Sequence, residues 1–124
     1  MITEDYISFE TAKLLKEKGF DERVKSYFTD GGLEGYMFGT GQKSNSELED
    51  CFYSRPTLQM VMKWLREVHK IEIRVVYDND RLSWYGACNP MNEPSQILLG
   101  SGRKSKSYEE ACESGIRYCL ENLI

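Results

Sequence analysis

The sequence predicts a small α+β domain, and three observations carry that prediction. Within Arg55–Tyr77 the apolar period switches. Leu58, Val61, Met62, Leu65 and Val68 recur at helical spacing, whereas Ile71, Ile73, Val75 and Tyr77 alternate with Glu72 and Arg74 as in a half-buried strand. Only His69 and Lys70 separate the two patterns, so helix and strand must fold back on each other at once. Asp30-Gly31-Gly32 stands between two β-rich runs and reads as a hairpin turn. Ser107-Tyr108-Glu109-Glu110 is a capping box that opens a final helix. The expected order is αββ-αβββα: a single domain over 1–124, its antiparallel sheet a meander with the central and C-terminal helices packed on one face. The first helix and hairpin either extend this sheet or cap it.

Each element has a local reason. Ser8 is placed to cap a helix over Phe9–Lys18, with Ile7 set to touch Ala12 as a hydrophobic staple. Gly19 stands where a left-handed residue ends a helix, Phe20 can fold back on Leu15, and Lys13, Lys16 and Lys18 lie toward the negative end of the helix dipole. Val24–Thr29 and Leu33–Phe38 are the hairpin strands, so that residues 1–38 form a helix plus hairpin. Residues 39–55 are polar and rich in Gly, Ser and Glu, and are expected to be a loop. The 56–124 unit then runs α-β-β-β-α. Its central helix spans Pro56–His69, with Pro56 in the first turn where a missing N–H costs least. Strands follow at Ile71–Tyr77, Leu82–Cys88 and Gln96–Leu99, the second and third separated by the proline-bearing break Asn89–Pro94.

Composition bounds the function. A 124-residue chain buries roughly two-thirds of the surface it would expose unfolded, enough for a core without staples. The net charge of −4 is uneven: residues 1–50 hold 11 acids and 6 bases, a net of −5, and the rest is close to neutral. Neither part has the basic excess that phosphate neutralisation requires, so nucleic acid is a disfavoured partner. No apolar run approaches the ~18 residues needed to cross a bilayer, and no charged-then-apolar leader pattern opens the sequence, so no membrane association is expected. Cys51, Cys88, Cys112 and Cys119 form no CxxC pair. Cys112 and Cys119 lie two helical turns apart, about 10 Å and beyond disulfide reach. Free thiols in the cytoplasm are the reading this favours.

The candidate chemistry is sparse. Gly39-Thr40-Gly41-Gln42-Lys43-Ser44 and Gly100-Ser101-Gly102-Arg103-Lys104-Ser105 match each other and resemble phosphate-cradling loops, but Gln42 and Arg103 interrupt the contiguous Gly-Lys-Ser that a P-loop needs. Their flanking segments differ, which favours shared loop chemistry over duplication. His69, the one histidine, falls at a helix C-terminus, where a cation suits the dipole. Asp78 and Asp80 lack the glycine and terminal glutamate of a calcium loop and read as turn residues. The cysteines lack ligand spacing for zinc. No catalytic residue, metal or other cofactor is therefore expected. The aromatics stand out instead: Trp84 and Tyr85 point to opposite faces of a sheet, so one of them leaves the helix-covered face. Tyr36, Trp84 and Tyr85 are the candidate partner-binding residues.

Two resemblances add to this. Glu10–Asp21, Pro56–His69 and the two ends of Ser107–Ile124 are similar to the helices of a family of small proteins of unassigned function, encoded by gut bacteria and their phages or mobile elements. The resemblance implies a bacterial or phage accessory protein and no activity. The α-β-β-β-α order of 56–124, with Gly100-Ser101-Gly102 leading into Ser107 and Ala111, resembles in topology a double-stranded-RNA-binding domain, whose last helix begins with phosphate-binding lysines. Here Tyr108-Glu109-Glu110 occupies that turn, leaving Arg103, Lys104 and Lys106 before it as the candidate nucleic-acid contacts. The expectation is thus a non-catalytic cytoplasmic adaptor that binds another protein through strand aromatics or a sheet edge, with a nucleic-acid-binding module as the alternative.

Overall fold

The structure, a computed structural model, describes residues 2–37, 41–92 and 104–124. It is α+β with antiparallel pairing throughout, and the chain divides into two compact units, 1–57 and 58–124.

In the first unit, helix α1 spans Phe9–Glu17. The Ser8 side chain accepts from the Thr11 N–H, and after Gly19 in the left-handed region the Phe20 N–H returns to the Leu15 carbonyl at 2.9 Å, as the capping signals predict. Strands β1 (Ser26–Thr29), β2 (Glu34–Tyr36) and β3 (Phe52–Ser54) form a sheet in the order β2-β1-β3. Phe28 and Tyr53 sit side by side on one face, and Phe9 of α1 packs edge-on against both, at 5.6 and 5.7 Å between ring centres.

This corrects the reading of 39–55 as a polar loop. Its end is β3, Lys43 bridges to Val24 through paired backbone bonds, and Ser44, Asn45 and Ser54 are buried. The physical reason is Asn45. Its Nδ2 donates to the Phe20 carbonyl at 2.8 Å and its Oδ1 accepts from the Ser54 N–H at 2.9 Å, so one polar side chain ties the end of α1 to β3. With β3 recruited, the first hairpin completes a sheet of its own and does not extend the second one.

The second unit contains α2 (Leu58–Val68), the hairpin β4 (Ile71–Asp78) with β5 (Ser83–Pro90), and α3 (Tyr108–Asn122). The expected strand Gln96–Leu99 lies outside the described residues. Leu58, Val61, Met62, Trp64 and Leu65 bury the core stripe of α2, whereas Val68, expected on that stripe, is exposed at the helix end. Lys70 makes the switch from helix to strand with φ of 57°, a left-handed conformation in a non-glycine residue.

The register pairs Ile71 with Pro90, Ile73 with Cys88, Val75 with Gly86 and Tyr77 with Trp84, which places all eight on the face that α2 and α3 cover. β5 does not break at Asn89 but continues through Pro90. Trp84 exchanges backbone bonds with Ser105 on the far side of β5, so by alternation Pro90 also turns its nitrogen away from β4, where a missing N–H removes no ladder bond. α3 buries Ala111, Cys112, Gly115, Ile116, Cys119 and Leu120 against the hairpin, its N-terminus capped by Ser107. Among the described residues, no helix is long and apolar enough to cross a membrane.

Candidate functional site

The β4–β5 hairpin presents one face to the helices and turns Glu72, Arg74, Val76, Tyr85 and Ala87 the other way. Val76 and Tyr85 are direct cross-strand neighbours on that second face, and Val76 is 50% exposed. Around them lies a broad, shallow depression of about 640 Å³, lined by Val76, Asp78, Arg81, Tyr85 and Ala87 among others. Asp78 organises its end. Its Oδ1 accepts from the backbone N–H groups of Asp80 and Arg81, and its Oδ2 lies 3.9 Å from the Arg81 guanidinium. The Tyr85 hydroxyl is buried and, among the described residues, has no partner of good hydrogen-bond geometry, yet it stands close enough to Arg81 to reinforce that group's positive charge, with Asp78 adding to the effect. Glu72 and Arg74 form an ion pair on the same face.

The three aromatic candidates thus have different fates. Tyr85 lies on the helix-free face. Trp84 lies on the covered face, half-buried in an aromatic ladder with Tyr77 at 4.9 Å and Tyr108 at 5.7 Å between ring centres. Tyr36 belongs to the first unit, where the residue is 57% exposed while its hydroxyl accepts from Arg55 Nη1 at 3.1 Å. Of the basic residues, Arg103 lies outside the described residues. Lys104 and Lys106 are exposed on either side of buried Ser105.

The groups weighed as catalytic are occupied otherwise. His69 packs edge-on against Trp64 at 4.7 Å. Cys88 donates to the Gly115 carbonyl and Cys112 contacts the Met62 sulfur at 3.3 Å. Burial, with Glu113 and Glu109 nearby, pushes the Cys112 thiol up to about 12, and the adjoining Cys88 thiol together with burial raises Cys119 as well. Only Cys51 is exposed. Among the described residues, no group of three or more His, Cys, Asp and Glu side chains is placed to hold a metal ion.

A second concavity lies in the first unit, a cleft of about 420 Å³ whose lining includes Tyr27, Tyr36, Lys43, Glu47, Glu49 and Phe52. It is formed where the 41–50 segment meets the sheet. Sequence reasoning had no signal for it, because Gly41–Asp50 carries only the polar composition of an exposed loop. The buried Arg55 went unmarked for a similar reason: a single arginine before a proline has no pattern. Comparison with protein-family models, with curated proteins and with solved structures returns no match.

Proposed function

We propose that the protein is a non-catalytic cytoplasmic adaptor that binds a segment of another protein on the helix-free face of the β4–β5 hairpin. The observation that carries this reading is the cross-strand pair Val76–Tyr85, an apolar and aromatic centre on the sheet face that α2 and α3 leave free, ringed by the charged groups Glu72, Arg74, Asp78 and Arg81. An apolar centre with a polar rim is the anatomy of a protein contact surface. Among the described residues β4 pairs with β5 alone, which leaves its outer backbone groups available to an added strand. Four free cysteines suit a reducing compartment.

The test is capture of a partner by the purified protein, compared with Tyr85→Ala, Val76→Asp and the control Leu82→Asp at an exposed turn. The adaptor reading expects loss with the first two variants and retention with the third, all three keeping native near-UV circular dichroism. Equal capture by all of them removes the reading. The nucleic-acid alternative draws its support from Lys104 and Lys106, exposed on either side of Ser105. It expects salt-sensitive RNA or DNA binding, and a flat titration at low salt eliminates it.

A further inference from the structure

We infer that the cleft of the first unit is a receptor for an arginine side chain of a basic partner peptide, a site separate from the hairpin face. On the α1 face, rings carry cations from the chain itself. Lys13 lies over Phe9 at 4.7 Å, Lys16 over Tyr53 at 5.0 Å, and Arg55 over Tyr6 at 3.9 Å with Phe28 and Tyr36 further off. Tyr27 and Phe52 project from the opposite face, pack edge-to-face at 5.3 Å, and line the cleft. Among the described residues neither ring has a cation over it. A cation from outside the chain would complete here the pattern that Tyr6, Phe9 and Tyr53 complete internally.

The cleft is held in shape before any ligand arrives. The Tyr27 ring lies across Gly35, where an added Cβ would stand 2.5 Å from the ring, so the absence of a side chain there lets the ring lie flat. Lys16 Nζ donates to the Phe52 carbonyl at 2.8 Å and reaches the Glu49 and Asp50 carbonyls at 3.4 Å, which fixes the turn that presents Glu49 and Phe52.

Charge selects the occupant. Lys43, Glu47 and Glu49 are the charged groups of the lining. Glu47 is engaged by Arg23 and by the Ser44 N–H and hydroxyl, whereas Glu49 is exposed and, among the described residues, its carboxylate meets only the Cys51 thiol, at 4.0 Å. Glu49 is therefore the carboxylate available to a guanidinium. The unit as a whole holds 11 acids and 7 bases, a net of −4, which equals the net charge of the entire chain. A planar guanidinium can stack on an aromatic face and engage a carboxylate at once, which an ammonium does less well.

The experiment is a ¹⁵N-resolved NMR titration of the full chain with acetylated, amidated Gly-Arg-Gly-Arg-Gly, beside peptides carrying lysine or glutamate in place of arginine. Saturable shifts are expected at Tyr27, Glu49 and Phe52, with the arginine peptide binding more tightly than the lysine one and the glutamate peptide not binding. Glu49→Gln, an exposed change that leaves the sheet intact, is expected to weaken binding about threefold, and Phe52→Leu at least as much. The inference is overturned if no saturable binding occurs, if the shifts spread over the acidic surface, or if Glu49→Gln binds like the wild type. Val76→Asp on the hairpin face should leave this titration unchanged, so the two sites fail or survive independently.

Discussion

The guanidinium carbon of Arg55 lies 3.9 Å from the centre of the Tyr6 ring, and this contact holds a positive charge inside the first unit. Arg55 is only 9% exposed. Its Nη1 donates to the Ser26 and Tyr36 hydroxyls at 3.1 Å, and its Nη2 lies 3.4 Å from Glu34, whose side chain is 57% exposed. The ring and the two hydroxyls therefore matter more than the solvent-screened carboxylate. Arg55→Ala should cost about 3 kcal/mol in urea unfolding, and Arg55→Lys about 1–2, since an ammonium cannot reproduce the fork. Glu34→Gln should cost under about 0.5 kcal/mol. A larger loss from Glu34→Gln than from Arg55→Lys would show that the ion pair, not the aromatic seat, holds the charge.

Gly86 sets how closely α3 approaches the second sheet. A Cβ at Gly86 would stand 2.0 Å from the Ala111 carbonyl oxygen, a backbone atom of the first turn of α3, and Gly115 meets the same stretch of β5 from the helix side. Helix and strand touch backbone to backbone here, so relief requires moving the helix itself. Gly86→Ala is expected to destabilise the protein by about 3 kcal/mol or more, against about 1 kcal/mol or less for Ala87→Ser on the face turned away from α2 and α3. Thermal unfolding followed by circular dichroism checks the contrast.

The elements that were legible in the sequence are those with local grammar. Ser8 and Ser107 cap their helices as their spacing announces, and the alternation of Ile71–Tyr77 places the core side of β4 correctly. What could not be read depends on groups far apart in the chain. β3 is three residues long and owes its place to Asn45 and to pairing with β1, neither of which leaves a periodic trace. For Trp84 and Tyr85, alternation tells that they take opposite faces but not which face a helix covers; the edge-on contacts of Trp84 with Tyr77 and with Tyr108 of α3 put it on the covered one. The cleft of the first unit is assembled in the same non-local way, from Tyr27, Glu49 and Phe52.

Burial separates the four thiols into one accessible and three protected groups. Cys88, Cys112 and Cys119 are fully buried, and Cys51 is exposed in the turn that precedes β3. Because Cys112 and Cys119 are also raised well above an ordinary thiol by their packed surroundings, they form little thiolate while α3 stays in place. Native protein treated with iodoacetamide at neutral pH should gain one adduct, at Cys51, and four in denaturant, as read by intact mass. Rapid native labelling at Cys88 or Cys119 would mean that α3 opens locally at low cost.

Acid should release the 44–47 turn before it unfolds either unit. The Asp21 carboxylate accepts from the Ser46 N–H at 2.7 Å, and that bond, followed by the Ser46 and Ser44 hydroxyls, holds Asp21 below its ordinary 3.8. Glu47 is lowered too, by the Ser44 N–H and hydroxyl and then by Arg23. Both carboxyls titrate lower in the folded chain than in the unfolded one. The stability they add is therefore present above the unfolded values and lost as pH falls through the folded ones, in the range below 3.8 for Asp21. Following the Asp21 carboxyl carbon and the Ser46 amide by NMR from pH 6 downward should give one shared midpoint below 3.8, and Asp21→Asn should abolish the Ser46 inflection while leaving the spectrum at pH 7 nearly unchanged. An Asp21 midpoint at or above 3.8 would show that the Ser46 bond does not persist in solution, and with it the turn that presents Glu49 to the cleft would lose one of its anchors.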